Sequence, residues 1–227
     1  MPSLKSWVVV AAVGTALIIG IRTKNGDPIG LTPSTPKATN IPALSGNAGH
    51  ALSALSVATD SSMSGYSRAQ FGPAWSDVDR NGCSTRNDIL ARQLTSVKLS
   101  TDHCTVLSGL LHDPYTGTTI RFVRGRSTSS AVQIDHVIPL GNAWITGARS
   151  WSAAKRKQFA NDPANLLAVD AHNNESKADK DAADWLPPYK AEDCPYVKQQ
   201  VAVKTTYHLT VNAAEKAAMA KTLEGCS

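Results

Sequence analysis

The chain has 227 residues, 42% of them hydrophobic and 18% charged, which suits one ordinary domain plus an appendage. Its formal charge of +5 overstates the basicity of the body, because Lys5, Arg22, Lys24 and Lys37 against Asp27 supply +3 of it near the N-terminus. None of the four cysteines is spaced Cys-x-x-Cys, so a zinc cage is poorly supported, and no Gly-x-Ser-x-Gly or His-Glu-x-x-His is present to suggest a serine hydrolase or a zinc protease.

Taken in chain order, the first feature is an uncharged run at 7–21 between Lys5 and Arg22. It has the length of a signal-peptide core and falls short of the roughly 20 residues of a comfortable membrane span. No small-x-small cleavage site follows directly, so residues 1–22 are expected to be a signal peptide or an N-terminal membrane anchor. Residues 23–50, rich in Pro, Gly, Ser, Thr and Asn, read as a flexible linker. The folded domain is expected over 51–227.

Within that domain a short helix is predicted at 51–57, then an irregular, turn-rich stretch at 71–83. The latter contains Asp77-Val78-Asp79-Arg80-Asn81-Gly82, which opens like a calcium loop. Ser84 then stands where that loop wants an apolar residue, and Asp88 replaces its Glu, so a tight turn is the better reading. A helix is predicted at 85–94 with Thr85 as N-cap. The alternating runs at 106–111 and 118–123 flank Asp113-Pro114-Tyr115-Thr116-Gly117 and predict a hairpin.

A strand at 132–140 follows, ending at Pro139, which cannot donate to a ladder. Alternation along it puts Asp135 and His136 on opposite faces. Residues 140–161 carry Trp144, Trp151 and the basic run Lys155-Arg156-Lys157 and read as one or two inserted helices. A second strand is predicted at 165–169 after Asn161-Asp162-Pro163, then a polar helix at 173–185 stopped by Leu186-Pro187-Pro188. Helices at 195–204 and 212–223 finish the chain, with Asn212 and Glu215 at capping-box spacing.

The chemistry concentrates around Asp135 and His136. Asp and Asn oxygens suit a hard cation, and a neutral histidine is the natural base for drawing a proton from water near pH 7. His50, His103, His112 and His208 have no evident partners and are expected to be structural or exposed. Charge is uneven: ten Lys or Arg face four acids over 85–157, and three face eight over 158–193. A basic face beside an acidic region suits a polyanion approaching a cation.

Asp135-His136-Val137-Ile138-Pro139-Leu140, then Asn161-Asp162-Pro163 with Asn165-Leu166, then Asn174 with Ser176-Lys177 and Trp185-Leu186-Pro187-Pro188 resemble the HNH endonucleases. Exported bacterial members are the most similar, and the resemblance runs from about Tyr66 to the C-terminus. It implies an α+β fold with a ββα-metal core, an additional β-hairpin and flanking helices, bridged by disulfides. It implies Asp135 and Asn174 as ligands of one divalent cation, Mg²⁺ before Mn²⁺, with His136 as general base and Asn165 bracing the loop that holds it. His172 and Asn173 stand close enough to Asn174 to compete for the ligand position. Lys177 is read either as a contact to the scissile strand or as a solvated helix lysine.

The same resemblance implies hydrolysis of phosphodiester bonds in DNA, with RNA as a further substrate. The alternative is a catalytically weak nucleic-acid-binding or interaction module on the same scaffold; a missing base or ligand would mark it, and all four core positions are filled. Arg121, Arg124, Arg126, Lys155, Arg156 and Lys157 are the candidate phosphate contacts, which implies weak sequence specificity. Nothing calls for an obligate protein partner. Of three possible cysteine pairings, the local one is expected, Cys83 with Cys104 and Cys194 with Cys226, each bracketing predicted helices and also fitting the resembling family. Bridges and N-terminus together point to export, with the protein secreted or anchored at the outer face of the cell membrane.

Overall fold

A computed structural model of the protein describes residues 48–226; the leader and most of the linker lie outside the described residues. The first element, α1 (Ala48–Ala54), begins before the stretch predicted for it. It buries Leu52, which with Leu55 packs on Val197, Val201, Val211 and Met219 of the C-terminal region.

Helix α2 (Thr85–Gln93) follows the turn at 77–82. That turn satisfies itself: Asp77 Oδ2 accepts from the Gly82 N–H at 2.9 Å and Asp77 Oδ1 from that of Asn81 at 3.2 Å. Ser84, not Thr85, occupies the N-cap position; the Thr85 hydroxyl instead donates to the Ser76 carbonyl at 2.6 Å. Strands β1 (Leu94–Leu99), β2 (Val106–His112) and β3 (Thr119–Val123) form an antiparallel sheet in that order. The hairpin is where the alternation put it. Strand β1 is an addition, masked in the sequence by a register shift after Thr95 and by its mostly exposed side chains. Gly109 lets it approach, since a Cβ there would come within 2.8 Å of Leu94 Cδ2.

A second sheet pairs β4 (Val132–His136) with β5 (Leu166–Asp170), Asp135 opposite Leu167 and His136 opposite Leu166. Val132, Ile134, Leu166 and Ala168 share one core with Ile89, Leu90, Val106 and Phe122 of the first layer. Each Val, Leu, Ile or Phe among them stabilises by roughly 1.5–3 kcal/mol when fully buried, so the two sheets are held as one body. Helix α5 (Ala171–Lys177) crosses β4 and β5. It is shorter than the predicted polar helix, because Ala178 turns into a positive φ of 50°.

The stretch between β4 and β5 forms α3 (Leu140–Ile145) and α4 (Ala153–Ala160), as predicted for an insertion. Their apolar faces meet Phe71, Val203, Tyr207 and Leu209. Helices α6 (Asp193–Tyr207) and α7 (Ala213–Glu224) close the fold. Asn212 Oδ1 caps the Glu215 N–H at 2.8 Å; the Glu215 side chain turns inward to Lys204 instead of completing the box. The disulfides are Cys83–Cys104 and Cys194–Cys226. Among the described residues no helix is long and apolar enough to cross a membrane.

Candidate active site

Strand β4 ends on Asp135 and His136, both buried. The alternation of the strand gives them different surroundings. The Tyr115 hydroxyl donates to Asp135 Oδ2 at 2.5 Å, and Lys177 Nζ lies 2.9 Å from each carboxylate oxygen. Lys177 Nζ also donates to the His136 carbonyl at 2.8 Å. Burial, reinforced by the Asp135 charge, pushes the Tyr115 phenol up, so it stays a donor.

His136 Nε2 lies 2.9 Å from the Ala160 carbonyl. A carbonyl only accepts, so Nε2 carries the proton and Nδ1 keeps its lone pair. The Trp75 ring stacks on the imidazole at 6.0 Å between centroids and 13° between planes. Burial pulls the His136 pKa down to about 4, against the opposing pull of the Ala160 carbonyl and Asp135. The imidazole is therefore neutral at pH 7, as a base must be.

Asn165 sits at the end of a 3-10 turn, entirely buried. Its Oδ1 accepts from the Ile138 N–H at 2.8 Å and its Nδ2 donates to the Ile138 carbonyl at 3.2 Å. The Val137 N–H also donates to the Asn165 carbonyl at 2.9 Å. One amide thus clasps the chain just beyond His136 on both its polar groups, which leaves the loop little freedom.

Asn174 on α5 gives its amide hydrogen to Gln133 Oε1 at 2.6 Å, and Gln133 donates in turn to Glu175 at 3.0 Å. Gln133 lies two residues before Asp135 on the same strand face, so strand and helix are tied at the site. Among the described residues the Asn174 Oδ1 accepts nothing. Asn173 is spent on capping contacts with Asp170, at 3.1 Å through its N–H and 2.7 Å through its side chain. Neither Asn173 nor His172 lines the adjoining space, whereas Asn174 does.

That space is a cavity of about 210 Å³ walled by Arg68, Asp135, His136, Pro139, Leu140, Asn174 and Asp179, among others. A second cavity, of about 150 Å³, shares Arg68, His136 and Leu140 and is otherwise lined largely by residues 69–75. Asp179 reaches its place because residue 141 is glycine: a Cβ there would lie 2.5 Å from the Asp179 carboxyl carbon.

Two site readings need correction. Lys177 is fully buried against Asp135, so it is neither solvated nor exposed to touch a strand of substrate. Arg156 is committed to the protein: its guanidinium donates to the carbonyls of Gln70 at 2.8 Å and of Trp151, leaving no free fork for phosphate. Arg124 is similarly engaged, with the Val106 carbonyl at 2.7 Å and Asn87 Oδ1 at 2.6 Å. Lys155 rests over the Trp151 ring at 4.4 Å. None of Arg121, Arg124, Arg126, Lys155, Arg156 and Lys157 lines either cavity. The residues that sequence reading missed are Tyr115, Arg68, Trp75 and Asp179. Only Tyr115 carried a signal, as the one aromatic in the hairpin turn.

Residues 84–222 match the family described as GmrSD restriction endonucleases, C-terminal domain. A relative from the fungus Arthroderma benhamiae, described as an uncharacterized secreted protein, is 38% identical over 198 residues, spanning 86% of this chain and 92% of that protein. No solved structure matches. Secretion of the relative and the two disulfides are consistent with export. With well over half of its length matched, the chain belongs to the family of GmrSD restriction endonuclease C-terminal domains.

Proposed function

We propose that this protein is a metal-dependent endonuclease that hydrolyses phosphodiester bonds of DNA, with a ββα-metal arrangement made by β4, β5 and α5. The observation that carries the proposal is the convergence of His136, Asp135 and Asn174 on one polar cavity, with the proton-bearing nitrogen of His136 already assigned by the Ala160 carbonyl. The family, whose description is that of restriction endonucleases, supports nuclease chemistry. The secreted relative and the two disulfides support a role outside the cytoplasm.

The donor set fits a hard divalent cation. An ionised carboxylate offers about four lone-pair directions; Tyr115 and Lys177 leave Asp135 with capacity to spare, and the Asn174 Oδ1 is uncommitted because Gln133 holds the other end of the amide. Among the described residues no cluster of three or more His, Cys, Asp or Glu is found. Asp135 and Asn174 would therefore hold the ion together with water, which suits Mg²⁺ or Mn²⁺ better than zinc. Bound there, the ion would stabilise charge developing on the phosphate and the leaving oxygen.

The residues of the chain do the rest. His136 accepts a proton from water at Nδ1, and the oxygen attacks phosphorus in line with the leaving group. The Ala160 carbonyl and the Trp75 ring hold the imidazole in place, and Asn165 fixes the backbone that carries it. Lys177 and Tyr115 hold the Asp135 carboxylate still. Lys177, placed among the catalytic residues by the resemblance, is on this geometry a positioning residue.

A weaker reading, a binding module on the same scaffold, draws on one fact: a buried ammonium already sits against the carboxylate of Asp135. Plasmid nicking by the wild-type protein and by His136→Ala, each with and without EDTA, separates the two. Loss of about 10²–10⁴-fold in rate is expected for His136→Ala, the range attributed to general-base catalysis, with DNA binding retained. Nicking by the variant at the wild-type rate, or full wild-type activity in EDTA, would overturn the assignment.

A further inference from the structure

Resting on the nuclease reading above, we propose that residues 68–75 form a subsite for one nucleotide of the substrate: Arg68 grips the phosphate beside His136, and the cavity walled by Trp75 takes a pyrimidine base. This segment lies just before the residues that match the family, 84–222.

Arg68 is exposed and has no hydrogen bond or ion pair among the described residues, yet it lines both cavities. A guanidinium so placed stands at the boundary between the cavity that holds Asp135 and the one that holds Trp75. Its planar fork matches phosphate oxygens two at a time. Its seat is firm even though its head is free. Phe71, three residues on, is buried against Trp144 and Phe159, and Arg156 holds the Gln70 carbonyl. The basic residue committed to the protein is thus what positions the basic residue left for substrate.

The smaller cavity has the chemistry of a base pocket. Its lining is mostly apolar, with Phe71, Pro73, Ala74, Trp75 and Leu140 beside one edge of His136, and its volume is about 150 Å³. Apolar cavities of roughly that size take a benzene ring, which matches a six-membered pyrimidine more closely than a fused purine. Trp75 adopts a left-handed φ of 57°, uncommon for a bulky side chain, and its carbonyl accepts from the Thr85 N–H at 3.3 Å. The ring is thereby held where a base unstacked from the strand meets it.

The test uses the His136→Ala protein, so that the probe survives, and measures affinity for single-stranded oligothymidylate and oligodeoxyadenylate of equal length. Tighter binding of oligothymidylate is expected. Arg68→Ala should weaken both by about tenfold or more, the equivalent of one charge-assisted hydrogen bond, and Arg68→Lys should fall between. Trp75→Leu should abolish the preference for thymidylate. Should that variant unfold, as judged by circular dichroism, Ala74→Phe fills the cavity from its exposed rim and must abolish the preference too. Equal affinity for the two oligonucleotides, a preference for adenylate, or Arg68→Ala within twofold of its parent would overturn the subsite while leaving the nuclease reading in place. Failure of the wild-type protein to cleave DNA with either Mg²⁺ or Mn²⁺ would instead count against the nuclease reading itself, and wild-type cleavage by the His136→Ala protein against His136 as its base.

Discussion

Lys177 and Lys204 are both completely buried, and each lies beside a carboxylate, yet their surroundings differ in one respect. Lys204 Nζ has three acceptors: Glu215 at 3.0 Å, the Thr210 carbonyl at 3.1 Å and Asn142 at 3.2 Å. Its three protons are matched, and neither it nor Glu215 lines a cavity. Lys177 has the Asp135 carboxylate and the His136 carbonyl only, and Asp135 opens on the larger cavity. The first pair is a closed staple between α3, α6 and α7. The second holds a carboxylate in readiness at the edge of solvent. A buried ion pair is thus evidence of function only where its unspent valence faces space.

The largest expected effect breaks the staple. Lys204→Met leaves Glu215 buried without its partner and should cost about 3–5 kcal/mol, read as a fall in the denaturant midpoint, with the specific activity of the folded fraction unchanged. Lys177→Met should cost less stability, because Tyr115 and the cavity still serve Asp135, and should lose activity. Equal stability losses, with activity kept in both, would erase the distinction between the two regions.

Next come the bridges. Cys194–Cys226 spans 32 residues and Cys83–Cys104 spans 21, so replacing either pair by serine should lower stability by about 3–4 kcal/mol in the chain-entropy model. Loss of the first bridge should soften the stapled region without slowing cleavage. A rate loss at constant fold would show that the C-terminal helices take part in the chemistry.

Tyr115→Phe sharpens the comparison at the site. It removes a hydrogen bond to a charged group, worth about 1.5–3 kcal/mol, and should reduce the maximal rate more than DNA affinity. A change in affinity alone would mean that Tyr115 serves the substrate and not Asp135.

The smallest effect is in pH. Burial pushes Glu215 from 4.5 up to about 7, against the opposing charge of Lys204. With the folded value above the unfolded one, the native state keeps a proton that the unfolded chain has released. The stability contributed by this group therefore falls as pH rises from 4.5 to about 7 and is level on either side. Glu215→Gln should flatten that part of the stability profile. An unchanged profile would place the proton elsewhere.

Much of the site was legible because its logic is local. Alternation put Asp135 and His136 on different sides of one strand, the Asn165 clasp follows its strand start, and the cysteines closed within their own brackets. What escaped was decided at long range. Whether Lys177 faces water or β4 depends on how α5 lies across the sheet, which a seven-residue polar helix does not announce. Counting basic residues located a charged region but did not reveal that Arg124 and Arg156 are consumed by carbonyls. Residues 71–83 read as irregular because Trp75 and its neighbours are arranged by contacts with α4 and His136, not by a repeating pattern.

Tyr115 reaches Asp135 from the turn between β2 and β3, and Asp113 in that same turn accepts the N–H of Asp170, the cap of α5, at 3.1 Å. A hairpin tip is ordinarily the first part of a domain to open. Here it is fastened to both the carboxylate and the helix of the candidate site. Fluctuation of the tip is therefore fluctuation of the candidate site, and lengthening or swapping that loop, elsewhere a safe engineering step, would retune the Asp135 carboxylate.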